Sequence, residues 1–135
     1  MGLLQTTARR PDPRSTRDVV LDRATRGVGV ATAAYAITTL VRPRVLSDPT
    51  ALGSSTGVAV LVRTVGDRDT TSGLALALTP RGPAQRLALP VRAASDAGDA
   101  VVFGLSSLPS AARKKAVGVA ALWSAVNVAL LLARR

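Results

Sequence analysis

Seven charged residues stand where the chain otherwise reads as apolar helix: Arg63, Asp67, Arg68 and Asp69 within 57–78, and Arg92, Asp96 and Asp99 within 84–105. Guanidinium and carboxylate groups in such a setting pair with one another, hold a proton, or bind an ion or small polar ligand. Arg92, Asp96, Asp99 and Phe103 follow i, i+4, i+7, i+11 spacing and therefore line one helix face. Arg63, Asp67 and Thr70 share a face of the preceding segment, while Arg68 and Asp69 each point elsewhere. An ideal helix cannot aim all of these at one partner. Local unwinding near Gly66, a water-filled cavity, or contacts to flanking helices, with Ser124 and Asn127 as candidates, must absorb the remainder.

The two segments are joined by Thr79, Pro80, Arg81, Gly82 and Pro83, which form a tight turn and make the flanking helices antiparallel neighbours. Counted outward from that turn, Asp69 lies 11 residues before Pro80 and Arg92 lies 9 after Pro83. Arg68 lies 12 before and Asp96 13 after; Arg63 lies 17 before and Asp99 16 after. At about 1.5 Å rise per residue, each opposite-sign couple matches in depth to within roughly 3 Å. The expected rungs are therefore Asp69–Arg92, Arg68–Asp96 and Arg63–Asp99. Each charge costs about 2.5–3.5 kcal/mol at a bilayer centre. Seven left unpaired would cost on the order of 20 kcal/mol, so pairing or hydration is required of any membrane reading. Fully ionised, the set holds three cations and four anions, and one of Asp67, Asp69, Asp96 or Asp99 is expected to hold a proton.

The elements that must position these residues are helices. The expected fold is all-α, a four-helix transmembrane bundle with helices at about 27–41, 57–78, 84–105 and 116–133, preceded by a basic polar leader over 1–26. Pro11 and Pro13 predict an irregular start to the leader, and Ser15 predicts a cap for a short interfacial helix through Arg26 with Asp18 in its first turn. The run 27–41 is short for a span of about 20 residues, and extension back toward Asp22 supplies the missing length if Arg23 and Arg26 snorkel to headgroups. Pro90 predicts a kink. Apolar residues make up 47% of the 135, yet Tyr35, Phe103 and Trp123 are the only aromatics. An interior of Ala, Val, Leu and Gly suits closely packed membrane helices. Trp123 reads as packing and Asn127 as a link between helices.

The net charge of +10 lies largely at the ends of apolar runs, which fits membrane flanks better than a nucleic-acid surface. The leader, the 79–86 turn and the C-terminus hold ten Lys/Arg and the other two connections five. That asymmetry places both termini in the cytoplasm of a multi-pass plasma-membrane protein. The first apolar run follows about 26 polar residues with no small-x-small site after a short hydrophobic core, so no signal peptide is expected. With no Cys and no His, disulfides, thiol redox chemistry, thiolate metal sites and His-based triads are excluded. No cofactor or metal is expected, and no nucleophile–base pair points to an enzyme.

Gly66, Asp67, Arg68 and Asp69, followed by Gly73, resemble the G-x-R-D…G signature of small, uncharacterised four-helix membrane proteins of the DoxX-like group. Arg42-Pro43-Arg44 ahead of a loop and a short apolar run fits that pattern, and Arg92, Asp96 and Asp99 are compatible with the group's polar third helix. The resemblance extends loosely over 25–133. It implies a four-helix membrane bundle without a settled activity. The leading expectation is a small integral membrane protein whose Arg/Asp cluster binds a proton, ion or small polar ligand. The alternative is an accessory or scaffold subunit in which the cluster is purely structural and a second copy or another membrane protein is the partner. A membrane-embedded enzyme is the third reading, and a soluble helical bundle in which these are ordinary surface charges is also open.

Overall fold

A computed structural model describes residues 15–134. Regular structure among them is entirely α-helical: α1 (Thr16–Val41), a single turn α2 (Arg44–Ser47), α3 (Thr56–Leu78), α4 (Pro83–Leu105) and α5 (Ser110–Leu132). The irregular start read at Pro11 and Pro13, with Arg9, Arg10, Arg14 and Arg135, lies outside the described residues.

The leader and the first apolar run form one helix, so the boundary at residue 26 does not exist as a break. Ser15 caps that helix, its Oγ accepting from the Asp18 backbone N–H at 3.2 Å and donating to the Asp18 carboxylate at 2.8 Å. This satisfies an otherwise unpaired N-terminal donor. Ser55 caps α3 in the same way through Val58 N–H. Pro83 enters α4 in its first turn, where its missing N–H costs nothing. Gly82 before it adopts φ +141°, a conformation that favours glycine. α4 continues through Pro90 without a break. α5 begins at Ser110, six residues ahead of the expected start, and carries Arg113, Lys114 and Lys115 inside its first turns.

The bundle is built from two helix pairs. α1 lies along α3 and α4 along α5, whereas α3 and α4 touch far less. The antiparallel hairpin of 57–105 is therefore the seam between the pairs, not a packed unit. Backbone approach explains the first pair. A Cβ built on Gly29 would stand 2.6 Å from Ala77 N and 2.7 Å from Gly73 O, and one on Gly73 would stand 2.7 Å from Ala33 N. Gly29 and Ala33 on α1 face Gly73 and Ala77 on α3, so each helix offers two small residues at i, i+4, the pattern that lets helix backbones meet. Gly66 belongs to the same contact, since a Cβ built on it would stand 2.7 Å from Thr39 Oγ1; α3 continues through it without unwinding. In the second pair, Ser124 Oγ donates to Ala93 O at 2.9 Å.

The core is small and partly polar. The buried apolar residues are five alanines with Val62, Leu76 and Leu89. Thr25, Thr32, Thr39, Ser47, Thr50, Gln85, Arg92, Asp96 and Asn127 are buried beside them. Large apolar side chains face outward on every long helix, among them Val30, Leu61, Leu74, Val91, Val101 and Leu122. By length and composition one described helix, α5, is apolar enough to cross a membrane, with mean hydropathy 1.8 over its best window.

Candidate functional site

Five of the seven candidate residues converge on the seam. Arg92 projects from α4 into it and is 4% exposed; Asp96, one turn on, is 3% exposed. Arg92 Nε donates to Asp96 Oδ2 at 3.1 Å, and Nη2 contacts Asp96 Oδ1. Across the seam, Arg92 Nη1 donates to Asp69 Oδ1 at 2.6 Å and to Ser72 Oγ at 3.1 Å, and Nη2 reaches Asp69 Oδ2 at 3.3 Å. Arg68 comes from α3 in the opposite sense. It forms a two-pronged pair with Asp99, at 2.6 and 3.2 Å, while its Nε donates to Asp69 Oδ1 at 3.0 Å. Asp69 thus accepts from both arginines and ties the two pairs into one network. Two-pronged guanidinium–carboxylate contacts are the strongest and most directional ion pairs available.

Of the three expected rungs, Asp69–Arg92 forms. Arg68 pairs with Asp99 and not with Asp96, because Arg92 folds back along α4 and takes Asp96 for itself. Arg63 does not reach Asp99: it is exposed and donates to Leu40 O of α1 at 3.3 Å. Asp67 is exposed and makes no ion pair among the described residues. Depth was readable from residue counts, but the choice of partner depended on helix phase and on the i, i+4 arginine–aspartate pair within α4. Asn127, 0% exposed, donates from Nδ2 to Trp123 O at 2.9 Å and lies 3.4 Å from Asp96 Oδ2, linking α5 to the network.

The cluster borders a cavity of about 480 Å³ between the helix pairs. Asp69, Arg92, Asp96 and Asp99 form its charged wall; aliphatic side chains and the 46–52 segment form most of the rest. Tyr35, Phe103 and Trp123, each the only residue of its type, all line it. Phe103 was placed on this face by its spacing from Asp99. Tyr35 and Trp123 were missed, and their signal was compositional: a chain with three aromatics brings all three to one cavity. The volume falls in the range of small-molecule pockets. No group of three or more carboxylates among the described residues is arranged to hold a metal ion.

A second polar assembly closes one end of the bundle, where the start of α1, the 79–82 turn and the end of α5 meet. Arg81 Nε lies 3.1 Å from Asp22 Oδ1, and Arg26 Nε 3.1 Å from Asp22 Oδ2. Arg26 also donates to Ala77 O at 3.0 Å, Arg17 to Ala133 O at 2.8 Å, and Arg134 to Gln85 Oε1 and Thr25 Oγ1. The carbonyls at the ends of α3 and α5 thereby gain cationic partners, as helix C-termini favour. Burial pushes the Asp22 carboxyl up, but the Arg81 and Arg26 guanidiniums outweigh it and hold the group below its ordinary value of 3.8.

Fold and site together define a small all-α bundle with a partly buried ion-pair network bordering an amphipathic cavity. The chain matches no protein-family profile, and comparison with curated proteins and with solved structures returns no match either.

Proposed function

We propose that this chain is a small integral membrane protein, a four-helix transmembrane bundle whose Arg/Asp network and adjoining cavity form a binding site for a proton, ion or small polar ligand. The observation that carries the reading is the set of large apolar side chains facing outward on every long helix. Outward Val and Leu side chains on all four long helices suit lipid, and an interior holding Arg92, Asp96, Asn127 and Gln85 suits a bundle whose polar residues avoid it. The network answers the cost of its own burial, since all three of Asp69, Asp96 and Asp99 accept from a guanidinium. Arg17 and Arg26 of α1, Arg81 of the turn and Arg134 meet at one end of the bundle, which supports a cytoplasmic face for that end of a plasma-membrane protein. The resemblance of Gly66–Asp69 and Gly73 to the DoxX-like signature supports the same architecture.

Because the chain has no cysteine, single introduced thiols test this directly. Ala120→Cys lines the cavity and is expected to react with a small, charged methanethiosulfonate in membranes. Leu122→Cys, outward on α5, is expected to be inert until detergent is added. Equal reactivity at both positions overturns the membrane reading. An inert Ala120→Cys overturns the open site and leaves the network a structural one.

The second reading, an accessory subunit with a membrane partner, is favoured by one observation. Thr64, Asp67 and Thr71 form an exposed polar stripe on the outer face of α3, where a bare carboxylate in lipid costs about 2.5–3.5 kcal/mol. A second copy or another membrane protein covering this stripe would remove that cost. Asp67→Leu is expected to abolish a cross-linked dimer formed through Thr71→Cys if the reading holds, and absence of any cross-link in the parent Thr71→Cys chain contradicts it.

A further inference from the structure

The hydrogen-bonding inventory of the network is lopsided. Arg92 has five N–H positions, and the structure uses all of them on Asp96, Asp69 and Ser72. It has no donor left for an anion, and an anionic ligand would have to break a carboxylate contact to reach it. The carboxylates are not exhausted. Each offers about four acceptor positions. Asp69 and Asp96 accept three hydrogen bonds each, and Asp99 only two, both from Arg68. Formal charge points the same way, with Arg68 and Arg92 set against Asp69, Asp96 and Asp99. Lys115 also lines the cavity, but it is exposed and makes no ion pair among the described residues. The wall therefore has spare acceptors, one uncompensated negative charge and no N–H of Arg92 left free.

Tyr35 of α1, Phe103 of α4 and Trp123 of α5 line the same cavity. Aromatic faces attract cations, and more strongly where water is excluded. We propose that the cavity takes a cationic amphiphile, a protonated primary or secondary amine. Its N–H groups are accepted by Asp99 and Asp96, and its apolar body lies against the three aromatic rings. This rests on the reading of the cavity as an open ligand site and names the ligand class for it. A simple metal cation is disfavoured because no metal-holding group of carboxylates is present among the described residues, and an anion because Arg92 is saturated.

Trp123 is the only tryptophan, so its emission reports on the cavity. The purified chain in phosphatidylcholine vesicles is titrated with octylamine, octanol and octanoate, which share a chain length and differ in charge. Octylamine is protonated at pH 7, as an amine with a pKa near that of lysine must be. It is expected to give a saturable change in emission at a midpoint at least about ten-fold below those of octanol and octanoate, and Asp99→Asn to erase that preference. Phe103→Leu, which leaves every charge in place, is expected to weaken octylamine several-fold and serves if Asp99→Asn does not reconstitute. Octanoate or octanol matching octylamine overturns the amine assignment while the cavity still stands as a binding site. No saturable response to any of the three overturns the site itself.

Discussion

Replacing Arg92 with leucine is the sharpest perturbation the network allows. Arg92→Leu removes five hydrogen bonds and strands two carboxylates unequally. Asp69 keeps Arg68 at 3.0 Å, whereas Asp96 keeps only the long contact from Asn127 at 3.4 Å. Removing one partner of a buried ion pair costs about 3–5 kcal/mol, or roughly two to three and a half decades in the folding equilibrium. The triple change Arg92→Leu, Asp69→Leu and Asp96→Leu leaves Arg68 paired with Asp99 and no stranded group. Swapping an entire buried ion-pair set for apolar residues is often neutral or stabilising, so the triple variant should recover most of the loss. Reversible unfolding by dodecyl sulfate in bicelles, followed by Trp123 emission, gives both numbers. Arg92→Leu within about 1 kcal/mol of the parent, or a triple variant no better than the single, would refute the reasoning that paired burial holds the seam.

Three further outcomes follow from particular contacts. Gly73→Ala places a methyl 2.7 Å from Ala33 N and 2.8 Å from Gly29 O, so α1 and α3 must separate; a loss of about 1–3 kcal/mol is expected by the same unfolding assay, and an unchanged midpoint contradicts the close crossing. Asn127→Leu removes the hydrogen bond to Trp123 O and the contact to Asp96; interhelical hydrogen bonds in membranes average about 0.6 kcal/mol, so a loss well under that of Arg92→Leu is expected, and an equal loss would give Asn127 a larger role than its contacts show. Asp22 sits below its ordinary value of 3.8, so its ties to Arg81 and Arg26 contribute fully above that value and are lost as pH falls through the lower folded one. A carbon-13 titration of the Asp22 carboxyl should place the midpoint below 3.8, and a midpoint above it contradicts the pairing.

Much of this was legible in the residues. Pro and Gly at 80–83 and the serine at 15 marked where α1 begins and where α3 gives way to α4, because turn and cap chemistry is local. Depth matching across the 79–83 turn brought Asp69 to Arg92 for the same reason: rise per residue is constant. What escaped was lateral. Nothing local says that α3 prefers α1 over α4; that preference comes from Gly29 and Gly73 meeting across the fold, a long-range coincidence of small residues. Arg68 and Arg63 were misassigned because counting gives depth and not azimuth. The aromatic wall was hidden because Tyr35, Phe103 and Trp123 lie on three helices. The leader boundary at Arg26 reflected polarity, whereas the backbone of α1 needs only helix-compatible residues on both sides of it.

Membrane embedding is tested most directly by the surroundings of the outward apolar residues. Nitroxides attached to Leu74→Cys, Val101→Cys and Leu122→Cys, at positions 42%, 58% and 64% exposed in the bundle, report their surroundings by collision with oxygen or with a water-soluble nickel chelate in reconstituted vesicles. A chain embedded as described gives oxygen-dominated collision at all three. Nickel-dominated collision at these sites would mean that water, not lipid, covers the bundle.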